Sequence, residues 1–188
     1  MMAAYAAAES GHAVTLLEQN EKLGKKLFIT GKGRCNLTNA SDMEQLFANV
    51  VSNRKFLYSA FYSYDNEQVI SFFESHGMPT KTERGNRVFP VSDHSSDVIA
   101  ALSTALRGQH VEVLLHTKVN RLLLEKRDEE KRVTGVELAD HTKMHADAVI
   151  VATGGISYPS TGATGDGYRM AEESGHKLSL IHISEPTR

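Results

Sequence analysis

Gly24 to Asn39 reads GKKLFITGKGRCNLTN, and it follows an apolar run that closes on Glu18. It holds three glycines, four cationic side chains (Lys25, Lys26, Lys32 and Arg34) and a terminal Asn-Leu-Thr-Asn. Such a stretch packs poorly and suits anions: glycine lets backbone N–H groups approach a ligand, and the cations balance its charge. Taken alone it has two readings, a loop that wraps a dinucleotide and a solvated basic turn. The sequence on either side has to decide between them.

Upstream, Met1 to Ser10 (MMAAYAAAES) is alanine-rich and favours helix, with Gly11 as its stop. No Ser, Thr, Asp or Asn precedes it as a cap, so the chain reads as starting inside a helix. Ala13 to Leu17 (AVTLL) predicts a short buried strand ending at Glu18. Helix, Gly turn, strand and acid form the second half of a βαβ nucleotide-binding unit. There a Gly-rich turn opens the helix, and an acid about 20 residues further on takes the ribose hydroxyls. Were that turn just upstream of Met1, Glu18 would fall at the right distance. The GxGxxG itself is absent from the sequence, and we expect a truncated N-terminus.

Downstream, Ser41-Asp-Met-Glu44 predicts a capping box and a short helix through Ala48. A second helical segment spans Arg54 to Tyr62. A third spans Glu67 to His76, with Asp65 and Gln68 as a capping box and Gly77 as its stop. Thr80 to Glu83 and Arg87 to Phe89, joined by Arg84-Gly85-Asn86, read as a hairpin. Ser95-Ser96-Asp97 predicts the cap of a helix with Val98, Ile99, Leu102, Ala105 and Leu106 as its apolar stripe. Val111 to Leu115 predicts a strand extending a parallel sheet, and Val119 to Met144 an antiparallel meander. Ala148 to Ala152 (AVIVA) predicts a further buried strand, broken by Thr153-Gly154-Gly155. The Gly-rich run Ser160 to Gly167 opens a last helix, whose N-terminus is a second candidate wall for the same ligand.

Composition narrows the function classes. In 188 residues with a net charge of -2 there is no basic excess of the kind a nucleic-acid or anionic-membrane surface needs. The single cysteine, Cys35, excludes an internal disulfide and a dithiol mechanism, and suits a reducing cytoplasm. No apolar run approaches a membrane span, and the first residues lack a signal-peptide pattern. The nine histidines form no helical HxxxH or HxxEH pair, HTKMH falling in the expected meander, so we expect no metal site.

Three long stretches carry a resemblance: KLGKKLFITGKGRCNLTNA (Lys22 to Ala40), ERGNRVFPVSDHSSDVI (Glu83 to Ile99) and VIVATGGISYPSTGATGDGYRMAEESGH (Val149 to His176). With them the chain resembles the BaiN-like, or aminoacetone-oxidase-like, family of bacterial NAD(P)/FAD-dependent oxidoreductases, from Met1 to about Lys177. The resemblance implies an α/β fold: an FAD-binding Rossmann-type, glutathione-reductase-like parallel sheet with a β-meander, incomplete because the first strand and the GxGxxG are missing. Residues 1–177 would be a partial FAD-binding domain with a helical and hairpin excursion at 41–94. Leu178 to Arg188 (LSLIHISEPTR) looks like the translation of a sequencing adapter, and we read it as non-native.

Carried over position by position, the resemblance implies that Glu18, with Gln19 beside it, holds the adenosine ribose. Lys25 and Lys26, then Thr30, Gly31, Gly33, Arg34, Cys35, Asn36, Leu37 and Thr38, resemble the loop along the pyrophosphate and ribityl chain. Val119 corresponds to the strand residue whose backbone meets the adenine. Ala152, Thr153, Gly154 and Gly155 resemble the turn that closes over the dinucleotide. The implied activity is hydride or electron transfer through FAD between NAD(P)H, or a small organic substrate, and an acceptor. The rival expectations are a non-catalytic dinucleotide-binding module and an inactive fragment. No residue identifies the catalytic group, the substrate or the oligomeric state.

Overall fold

The structure, a computed structural model, describes residues 1–127 and 130–178. In chain order its elements are α1 (Met2–Glu9), β1 (Thr15–Leu17), α2 (Lys25–Ile29), β2 (Thr38–Asn39), α3 (Met43–Ala48), α4 (Tyr58–Ser63), α5 (Asn66–Ser75), β3 (Thr80–Glu83) and β4 (Arg87–Pro90). There follow α6 (Ser95–Gly108), β5 (Glu112–Leu114), β6 (Val119–Arg127), β7 (Glu130–Leu138), β8 (Lys143–His145) and α7 (Asp166–Glu173). Two units divide them. Leu27–His110 form one together with Met1; Met2–Lys26 and the chain from Val111 onward form the other.

The split unit carries the parallel pairing expected of a βαβ half. β1 runs parallel to β5 with Thr15 opposite Glu112 and Leu17 opposite Leu114. The ladder continues into the turn that follows, where the Glu18 N–H donates to the Leu114 carbonyl at 2.9 Å and the Thr117 N–H to the Glu18 carbonyl at 2.9 Å. The backbone of Glu18 is therefore fixed from both sides at the carboxyl end of a parallel strand, where α/β folds bind their ligands. β6, β7 and β8 form the antiparallel meander, with Val119 opposite Leu138 and Val136 opposite Met144.

The buried strand expected at Ala148 to Ala152 does not form. The segment pairs with no strand among the described residues, and Ile150 is 63% and Val151 42% exposed. An apolar run becomes a strand only when a neighbour accepts and donates its ladder hydrogen bonds, and this one has none. Periodicity reports the propensity of AVIVA, not its partner.

The continuous unit is built on a three-stranded antiparallel sheet in the order β2-β4-β3. The hairpin is where the sequence places it; what the sequence does not announce is that Thr38 and Asn39, the end of the opening stretch, pair with Val88 and Arg87 as its third strand. α6 supplies the core: Val98, Ala101, Leu102, Ala105 and Leu106 recur at helical spacing and are at most 4% exposed. They bury with Val88, Phe89, Phe72, Phe73 and Met78, and each large side chain hidden this way contributes about 1.5–3 kcal/mol. α5 begins with the predicted capping box between Asp65 and Gln68. Two other caps shift. Asp42, not Ser41, accepts from the Gln45 N–H at the start of α3, and Ser95 lies inside α6 with its hydroxyl on the Phe28 carbonyl at 2.9 Å. Beyond Leu178, the tail read as non-native lies outside the described residues.

Candidate functional site

In the split unit the predicted residues converge on a side chain that sequence reasoning passes over. Glu18 Oε1 accepts from both the backbone N–H and the Nδ2 of Asn20, at 2.8 and 2.7 Å. A second Asn20 amide hydrogen goes to the Thr161 carbonyl at 3.1 Å. The Lys25 ammonium donates to Asn20 Oδ1 at 3.2 Å, and the His116 N–H donates to the Asn20 carbonyl at 3.1 Å. Every polar group of Asn20 is therefore engaged. The only signal in the sequence is an Asn two residues after the acid, a spacing that suits a local side-chain-to-backbone turn.

The rest of that turn faces the same Gly-rich loop. Gln19 donates through Nε2 to the Gly162 carbonyl at 2.8 Å. Lys26 donates to the Ser157 carbonyl at 2.9 Å and to its hydroxyl at 3.1 Å, and lies 4.3 Å from the centre of the Tyr158 ring. Gly162 makes this close approach possible. Its φ is +97°, and a Cβ there would lie 2.8 Å from both the Asn20 and the Gln19 amide nitrogens. Gln19, Lys25 and Lys26, expected to hold a ligand, here hold protein. Glu18 differs: Oε1 is anchored, while Oε2 carries no hydrogen bond among the described residues. A half-buried carboxylate with one oxygen fixed and the other uncommitted is suited to accept a hydroxyl.

The remaining residues of this unit are placed less closely. Val119 opens β6, two residues after the Thr117 that bonds Glu18. Ala152, Thr153 and Gly154 are exposed in a segment without regular structure, and Gly155 lies against the Tyr168 hydroxyl and accepts through its carbonyl from the Gly165 N–H. The N-terminus of α7, expected to offer N–H groups to an anion, already carries a carboxylate. Asp166 sits in its first turn, held below its ordinary range by the Thr164 hydroxyl and then by Arg169.

In the continuous unit, the Thr30–Thr38 loop is stabilised by its own contacts. Thr30 bonds the Leu27 carbonyl at 2.7 Å and accepts the Cys35 N–H through its own carbonyl at 3.2 Å. Gly31, Gly33 and Cys35 all have left-handed backbones, and Cys35 is 3% exposed. Leu37 and Thr38 join the sheet opposite Val88, and the Asn36 amide, oriented by the acceptors around it, reaches the Thr38 and Val88 carbonyls. Arg34 is not a free cation. Its guanidinium bonds Glu83 and Asp93 and stacks 4.3 Å from the centre of the Phe89 ring, and Lys81 reaches the other Asp93 oxygen at 2.6 Å. Arg34 holds the Glu83 carboxyl below its ordinary range, and Lys81 followed by Arg34 does so for Asp93. What the loop leaves open is Gly33, beside whose Cα no heavy atom lies within 4 Å of a notional Cβ.

With this geometry in hand, three comparisons give the arrangement relatives. Residues 1–182 match the HI0933-like protein Rossmann domain. The chain is 36% identical over 183 residues to a 3-dehydro-bile acid delta(4,6)-reductase of Clostridium scindens, a match covering 96% of the chain and 42% of the relative. It is 30% identical over 169 residues to a ribosomal RNA dihydrouridine synthase of Haemophilus influenzae, covering 89% and 41% respectively. The open conformation of a flavocytochrome c3 fumarate reductase shares its fold, with a TM-score of 0.62 at 24% identity over 93% of this chain and 38% of that one. The chain thus spans about two fifths of the length of the curated relatives it matches.

Proposed function

Because the chain belongs to the HI0933-like Rossmann-domain family, we propose that it is part of the FAD-binding domain of a flavoprotein oxidoreductase. The observation that carries this reading is Glu18: a carboxylate at the carboxyl end of a parallel strand, one oxygen anchored by Asn20 and the other uncommitted. That is the acceptor a ribose hydroxyl requires, and the residues present fit the group. FAD, when bound, supplies the two-electron chemistry. The chain's own residues supply the binding surface. Glu18 Oε2 takes a ribose hydroxyl, and Gln19, Asn20 and Lys26 dock the 157–162 loop.

What two curated relatives have in common supports one substrate class. A delta(4,6)-reductase acting on a 3-oxo steroid and a synthase that turns uridine into dihydrouridine both saturate a carbon–carbon double bond conjugated to a carbonyl. We assign the same class here: hydride to the carbon β to the carbonyl and a proton to the α carbon, with NADH or NADPH as electron donor in a bacterial cytoplasm. The test is anaerobic. Full-length protein purified with FAD should lose its oxidised-flavin absorbance on addition of NADH or NADPH and regain it when an α,β-unsaturated ketone or uridine-containing RNA follows. A protein that binds FAD yet responds to neither nucleotide would be a passive dinucleotide-binding module instead.

A further inference from the structure

We infer that Asn20 is a positioning residue, one that aims the Glu18 carboxylate at the ribose and couples that site to the 157–162 loop. The inference rests on the FAD reading above. Its basis is the number and direction of the bonds that meet at one side chain. Two donors of Asn20, the backbone N–H and Nδ2, converge on Glu18 Oε1, which leaves the carboxylate little freedom to rotate and leaves Oε2 without a hydrogen bond among the described residues. The other Nδ2 hydrogen holds the Thr161 carbonyl, while Lys25 and the His116 N–H fix Asn20 itself.

No other residue type reproduces this set. Aspartate would retain the acceptor for Lys25 but lose both side-chain donors and bring a second carboxylate against the first. Glutamine, one methylene longer, displaces the amide from a position where the backbone N–H of the same residue shares its acceptor. Gly162 is part of the same device, because any side chain there would occupy the space of the Asn20 and Gln19 amides. Aiming a carboxylate and holding a loop through one amide links the two sites: whatever moves the 157–162 loop also changes the acceptor presented to the ribose.

The test separates aiming from plain stability by varying the ligand. Full-length protein and its Asn20→Ala variant are titrated with FAD and with FAD lacking the adenosine 2′-hydroxyl. The wild-type protein is expected to prefer FAD by about tenfold, the effect of one hydrogen bond to a charged group. In Asn20→Ala that preference should shrink to about twofold or less, because the carboxylate is no longer aimed. An unchanged preference, with both affinities lowered equally, would overturn the inference and leave Asn20 a merely structural residue. Wild-type protein that binds FAD without preference would overturn it as well. Wild-type protein that binds no FAD would instead remove the functional reading beneath it. Asn20→Asp provides an independent readout if the alanine variant folds poorly. Aspartate keeps an acceptor for Lys25 but has no Nδ2 donor for Glu18 or Thr161, so at neutral pH the preference should fall as it does in the alanine variant; a preference equal to that of the wild-type protein would count against the inference.

Discussion

Both the Thr30–Thr38 loop and the Glu18–Asn20 turn carry charged side chains suited to a dinucleotide, and they use them differently. Arg34 directs its guanidinium to Glu83, Asp93 and the face of Phe89 within its own unit, so its charge builds the loop. Glu18 is anchored through one oxygen and keeps the other uncommitted, so its charge remains available to a ligand. The difference teaches that a charged residue in a Gly-rich loop is a ligand candidate only in proportion to the bonding capacity left over once the fold has been satisfied. By that measure Lys26 and Gln19 are scaffold, and Glu18 keeps an acceptor for the proposed ribose contact.

This contrast can be broken in several places. The largest stability effect should come from Leu106→Ala in α6, 1% exposed, at about 2–5 kcal/mol. Urea unfolding would measure it, and FAD affinity should change only as far as folding does. Gly162→Ala should come next, because a Cβ there both strains a left-handed backbone, at about 1–2 kcal/mol, and meets the two amides. It should lower the melting temperature and weaken FAD binding together, so a normal affinity would detach the loop from the ribose site. Arg34→Met should lower the melting temperature of the apoprotein while changing FAD affinity by less than about threefold, well under one charged hydrogen bond. A large affinity loss with unchanged stability would reverse the roles of the two regions.

The smallest effect is one of pH. Glu83 and Asp93 have folded-state values below their unfolded ones. A depressed carboxyl contributes stability above its unfolded value and loses it as pH falls through the folded value. Acid should therefore lower the melting temperature of wild-type protein below the ordinary carboxylate range, and less so in Arg34→Met, where the shift of Glu83 loses its principal cause. Thermal scans of both proteins over that range would measure the difference, and equal slopes would show that the network contributes nothing.

How much of this is legible in the sequence depends on the range of the interaction. The Asp65–Gln68 capping box, the Arg84-Gly85-Asn86 turn and the α6 stripe are readable because each is decided within a few residues. That β5 extends a parallel sheet is readable because a helix and strand in succession repeat a known unit, while its pairing with β1 is shown by the structure alone. AVIVA misleads because strand formation needs a neighbour. Asn20 escapes notice for a similar reason. Its bond to Glu18 is local, but its bond to Thr161 spans 141 positions, and no pattern near Asn20 announces it. The pairing of Arg34 with Glu83 and Asp93, 49 and 59 positions away, is hidden in the same manner.

The central claim is that Glu18 is a ligand contact while Arg34 is scaffold. Equilibrium titration of FAD into the full-length protein and its Glu18→Ala variant, followed by flavin fluorescence, tests it most directly. The predicted result is FAD binding by the wild-type protein and a Kd raised about ten- to hundredfold in the variant, with the apoprotein melting temperature little changed. Equal affinities in the two proteins, or no FAD bound by either, would contradict it.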